Sequence, residues 1–169
     1  MASRLRRREE IPEGTPIEGI LKDVKLEHGR FSRQIATNVL VTKGESEGKQ
    51  YRGTQFPEWF SFAKDADGEE YIPYGGPVYQ VLAMADPNID EILDDDELTD
   101  KKYEQWLKKT VKELEGFEFM ARAGIKRSMN KDGTPILDKN GNPKKRQQLE
   151  PGSFGPIEEF EDLDMGQAS

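Results

Sequence analysis

One stretch constrains the fold more than any other. Phe117, Phe119, Ala121, Ala123 and Ile125 alternate with Glu118, Met120, Arg122, Gly124 and Lys126. A period of two places the two sets on opposite faces of an extended chain, so this segment predicts a β-strand with one buried and one wetter face. Other segments follow the same logic. Between Thr15 and Leu26, the residues Ile20, Val24 and Leu26 share one face and Ile17 and Leu21 the other, which predicts a first strand partly buried on both sides. His28, Gly29 and Arg30 turn the chain into a second strand, where Ile35, Thr37, Val39 and Val41 alternate with Gln34, Ala36, Asn38 and Leu40. Tyr51 to Phe62 is rich in Tyr, Phe, Trp and Thr and reads as a third strand, which Pro57 restricts to an edge or a bulge. A final strand runs through Leu149.

Helical spacing is confined to the middle of the chain. Pro77 suits a first helical turn, and Val78, Val81, Leu82 and Ala85 form one stripe that ends near Asp86-Pro87. Thr99 or Asp100 caps a second helix reaching about Glu115, with Tyr103, Trp106, Leu107, Val111 and Leu114 on its apolar side and Gly116 as its stop. The acidic run between the helices holds Ile89, Ile92, Leu93 and Leu98, so it touches the body. Three organisational units result: an Arg-rich arm over 1–10, one domain over 11–156 with a helical insertion at about 76–115, and an acidic tail over 157–169.

Charge is distributed unevenly. The net charge is −8, yet residues 86–100 contain eight acids and no base and residues 150–169 six acids and no base. The remainder therefore carries +6, and residues 101–149 alone hold 13 basic against 6 acidic side chains. A basic body with two acidic appendages is the setting for polyanion binding, which the overall charge conceals.

Several chemistries have no residues to support them. Cysteine is absent and His28 is the single histidine, which removes disulfides, thiolate nucleophiles, Cys-based zinc sites and any two-histidine metal site. Gly75-Gly76-Pro77 lacks the lysine of a phosphate-binding loop. Asp86, Asn88, Asp90, Asp94 and Glu97 match positions of a calcium-loop template, but Glu91 stands where its turn needs glycine. No catalytic residue, metal site or cofactor is assigned. The chain lacks an apolar run of membrane-spanning length and a secretory leader, and with no cysteine it is expected to be cytoplasmic and not to associate with membranes.

Three strands, a helical connection and two more strands is the order of an oligonucleotide-binding (OB) fold. The expected fold is thus an all-β barrel with a helical insertion (α+β), a five-stranded Greek-key barrel with helices between its third and fourth strands. The chain also resembles phage-encoded single-stranded DNA-binding proteins of this fold. That resemblance lies in Ile11-Pro12-Glu13-Gly14-Thr15, in Gly44-Glu45 with Gly48-Lys49, in Leu114-Glu115-Gly116-Phe117-Glu118-Phe119 and in the acidic end. It implies single-stranded DNA as ligand, replication or recombination as setting, and the host-cell cytoplasm as location.

Such binding needs basic side chains along the phosphates and aromatic faces for the bases. The candidates are Arg30, Phe31, Arg33, Lys49, Tyr51, Arg52, Trp59, Arg122, Lys126, Arg127, Lys144, Lys145 and Arg146. Phe60, Phe62, Phe117 and Phe119 are expected in the core, which puts Tyr51 and Trp59 on the opposite, stacking face. In the tail, Phe160, Leu163 and Met165 lie among acids, a pattern suited to occupying a basic groove or anchoring a replication or recombination partner. The competing expectation is a protein-interaction module of the same barrel, or a DNA mimic, acting through the acidic segments.

Overall fold

The computed structural model describes residues 10–157. Residues 1–9 of the arm and the tail anchors Phe160, Leu163 and Met165 lie outside them. β1 (Pro16–His28) and β2 (Arg33–Ser46) form the expected hairpin. β3 (Lys49–Gln50) folds back on the end of β2, and β4 (Gln55–Ser61) runs antiparallel along the same strand. β5 (Ala63–Lys64) and β6 (Glu70–Tyr71) make a separate small ribbon. The insertion consists of α1 (Pro77–Ala85), α2 (Ile89–Leu93) and α3 (Asp100–Glu113). β7 (Glu118–Arg127), β8 (Lys145–Leu149) and β9 (Gly155–Pro156) complete the chain, with β8 and β9 along one edge of β7 and β1 along the other.

All pairings are antiparallel, and the main sheet is open in its hydrogen bonding, not the closed barrel expected. β4 and β8 approach each other without a backbone ladder between them. Two residues explain the gap. Residues two apart in an antiparallel strand aim their N–H groups the same way, so Pro57 lacks its donor on the edge where Trp59 N–H points. That N–H donates to Glu58 Oε1 at 3.0 Å, while Leu149 N–H of β8 donates to Glu58 Oε2 at 2.7 Å. A buried carboxylate thus bridges the two edges where a ladder would otherwise run. Only 5% of Glu58 is exposed.

Inside the sheet lie Ile17, Leu21, Ile35, Val39, Phe56, Phe60, Phe119 and Leu149, closed at one side by Val81, Leu82, Leu107 and Leu114 of the helices. Phe154 packs edge-on against Phe60 with ring centroids 5.3 Å apart. Gly19 makes room for the Phe119 ring, because a Cβ there would sit 3.0 Å from both Phe119 Cζ and Leu40 O. β1 takes an extra residue at Asp23, whose φ is +53° and where the register with β2 shifts. After the shift Leu26 lies opposite Ile35, on the face where Leu21 lies opposite Val39, so the apolar positions pass from odd to even numbers without changing face, and Val24 and Leu26 pack toward α3. The N–H groups of Asp23 and Val24 donate to Glu115 at 3.1 and 2.9 Å. Thr99 caps α3, its Oγ accepting from Lys102 N–H. Among the described residues no helix is long and apolar enough to cross a membrane.

Candidate nucleic-acid interface

The β7–β8 hairpin sets Lys126 opposite Arg146 and Arg127 opposite Lys145. Across the β4–β8 gap, the Arg146 guanidinium lies over the Trp59 ring, 4.9 Å from its centroid. Trp59 remains 38% exposed, so one aromatic surface is presented to solvent beside cationic groups. Glu58 organises the pair from below: its Oε1 lies 3.8 Å from Arg146 Nη1. Burial pushes the Glu58 carboxyl above the ordinary range, and the N–H groups of Leu149 and Trp59, with the charges of Arg146 and Lys126, offset part of that rise.

Several neighbouring bases are held by surface acids. Arg127 meets Glu13 at 2.6 Å, Lys145 meets Glu10 at 3.1 Å and Arg122 meets Glu150 at 2.8 Å. Exposed pairs of this kind contribute about 0–1 kcal/mol each, so a phosphate can displace the carboxylates at little cost. Lys126 and Lys144 make no ion pair among the described residues.

Beyond this patch, between β7 and β8, the chain projects an arm. It is a tandem repeat: Met129-Asn130-Lys131-Asp132-Gly133-Thr134-Pro135 is followed by Leu137-Asp138-Lys139-Asn140-Gly141-Asn142-Pro143. Each unit closes in the same way. Met129 bridges Pro135 and Leu137 bridges Pro143, while Gly133 N–H donates to Asn130 O and Gly141 N–H to Asp138 O. Ser128, Ile136 and Lys144 tie the units together through three backbone hydrogen bonds. The arm exposes Lys131, Lys139 and Lys144 alongside Met129, Ile136 and Leu137. Comparing the paired Asp-Gly and Asn-Gly turns with each other is the signal that reveals it.

Other candidates lie elsewhere. Phe31 is 80% exposed at the β1–β2 turn with Arg30 5.4 Å from its ring centroid, and this turn leads along β2 to Ala36, the partner of Trp59. Arg33 is a structural clamp and not a phosphate ligand in waiting. Its Nε and Nη2 donate to Glu70 at 2.7 and 2.6 Å, and Nη1 and Nη2 to Glu104 at 3.0 and 2.5 Å. Burial raises the Glu70 carboxyl, but the bonds from Arg33 and Tyr103 outweigh it and hold the group below the ordinary range.

Tyr51 is corrected outright. It is 8% exposed and belongs to the core, with Lys49 Nζ 5.8 Å from its ring centroid. Alternation failed because residues 51–54 form a turn, with Thr54 N–H donating to Tyr51 O, so strand parity begins only at Gln55. Arg52 lines a separate cleft with Glu18, Lys43 and Met120.

The acids of the calcium-like run serve the helices. Asp86 accepts from Trp106 Nε1 at 2.8 Å and from Asn88 N–H at 3.0 Å, and Asp90 accepts from the Tyr79 hydroxyl. Among the described residues no three or more His, Asp or Glu side chains are grouped to hold a metal. Against known proteins, no family model matches the chain and no curated protein matches it significantly.

Proposed function

We propose that this chain is a non-catalytic single-stranded DNA-binding protein of the phage replication or recombination type, acting in the host-cell cytoplasm. The observation that carries the reading is the Trp59–Arg146 stack: an accessible indole beside a guanidinium, with Lys126 opposite Arg146 and the lysine-bearing arm following β7. A base has a π-face whatever its identity, so such a platform binds strands without reading sequence, while the surrounding bases neutralise phosphates.

Strand order supports an OB-like reading of the sheet. Counting the Glu58-bridged approach of β4 to β8 as a seam, β1, β2, β4, β8 and β7 succeed one another around a partly open cylinder. The Phe31 turn and the repeat arm then occupy the two loops that this fold uses for nucleic acid. Fluorescence anisotropy with labelled oligo-dT, duplex DNA and RNA over a salt series tests the proposal. Oligo-dT should bind more tightly than duplex, with affinity falling as salt rises. An absence of oligo-dT binding at low salt sinks it in favour of the protein-interaction module.

A further inference from the structure

A second surface, independent of the DNA reading, lies between β1 and α3. Beyond the bulge at Asp23, Val24 and Leu26 stand at the margin of the core beside α3, and with Val111 they line a groove of about 540 Å³ that Lys108, Lys109 and Lys112 also line. None of these lysines forms an ion pair among the described residues, nor do Lys101 and Lys102 on the same helix. An apolar floor under three unpaired cations calls for a ligand that alternates acids with bulky apolar side chains.

This chain contains one such segment. Residues 158–165 read Glu-Glu-Phe-Glu-Asp-Leu-Asp-Met, and 157–169 holds five acids and no base. The path of the chain leads there. β9 runs antiparallel to β7 with Pro156 opposite Phe119, so the chain leaves the sheet heading toward Glu118 and the C-terminal end of α3. Gly19 of β1 also pairs with Phe119, and Val24 and Leu26 lie further along β1 in that same direction. Two strand spacings across and five to seven residues along place them roughly 20–25 Å from Pro156. At no more than about 3.3–3.6 Å per residue beyond Ile157, the chain is long enough to span up to about 20–22 Å to Leu163 and about 26–29 Å to Met165.

We propose that the acidic tail docks in cis in this groove, with Leu163 and Met165 on Val24, Leu26 and Val111, Phe160 at its mouth, and Glu161, Asp162 and Asp164 facing Lys108, Lys109 and Lys112. The site is separate from the Trp59–Arg146 face, since β2 lies between β1 and β4 and β7 lies between β1 and β8. Tethering presents the tail at an effective concentration on the order of millimolar, so weak contacts suffice.

The cysteine-free chain permits a direct test. Gly166→Cys in the full-length, isotope-labelled protein carries a nitroxide, and NMR line broadening reports which methyl groups it approaches. The expected result is selective loss of the Val24, Leu26 and Val111 signals, unchanged on dilution. The signals should return in high salt and in a Lys108→Glu/Lys112→Glu variant. Both lysines are exposed, so that variant should melt with the parent, and its melt is measured alongside. Broadening centred on Trp59 and Arg146, or no selective broadening, overturns the proposal. Broadening that vanishes when labelled protein is diluted overturns docking in cis and assigns the contact to a second copy. Oligo-dT binding is untouched by any of these outcomes, so the two readings fail separately.

Discussion

Replacing Glu58 by glutamine tests whether the Glu58 carboxyl group, whose two oxygens can each accept an N–H whether it is charged or protonated, holds the β4–β8 gap. Its oxygens accept Leu149 N–H at 2.7 Å and Trp59 N–H at 3.0 Å. Glutamine preserves the shape and one acceptor, but its NH₂ group faces the second N–H, leaving a buried donor unsatisfied. Such a loss costs about 1–3 kcal/mol, which corresponds to a melting-temperature drop of roughly 2–12 °C for a chain of this size. The sign with pH is specific. Burial raises the folded-state carboxyl above its ordinary 4.5, so between 4.5 and the raised value the folded protein binds more protons than the unfolded chain. The parent's stability from this group is therefore present below 4.5 and falls as pH climbs through that window, whereas glutamine has no such dependence. Urea titrations of parent and Glu58→Gln at pH 4 and pH 8 measure both effects. The parent should be more stable at pH 4, with a smaller advantage at pH 8. An equally stable variant at pH 4, or an advantage that grows with pH, refutes the bridging argument or its electrostatic sign.

Tyr51→Ala should lower stability by about 3 kcal/mol or more, as truncation of a buried aromatic does, whereas Trp59→Ala should cost less than about 1 kcal/mol yet weaken oligo-dT binding tenfold or more; paired melts and anisotropy titrations distinguish them. Gly116 has φ +78° and donates its N–H to Leu21 O at 2.7 Å, so Gly116→Ala should destabilise by about 1–2 kcal/mol in denaturant titrations without altering oligo-dT affinity. Arg33→Ala removes the partner that lowers the Glu70 carboxyl. The stability that Glu70 supplies is present above pH 4.5 and lost as pH falls through its depressed value, so parent and variant should differ most near neutrality and converge in acid. A gap that widens in acid would contradict that linkage.

Most of the element order was legible in one dimension because it rests on local periodicity. The alternation over 117–126 became β7, the 3–4 spacing after Thr99 became α3, and Pro77 began α1. Phe60, Phe62 and Phe119 entered the core because strand parity and hydrophobicity agree at those positions. Tyr51 escaped that logic, since parity carries no information through a turn. The sequence also identified Trp59 and Arg146 separately, but their stacking depends on β4 and β8 meeting across a gap that no spacing along the chain encodes. Likewise, the 25 basic side chains of the sequence look alike in composition. Only the fold brought Arg33 against Glu70 and Glu104, and left Arg146 over an indole. Local hydrogen-bond geometry and side-chain alternation are properties of neighbours in sequence, whereas the availability of a charge depends on which distant residues the tertiary fold sets beside it.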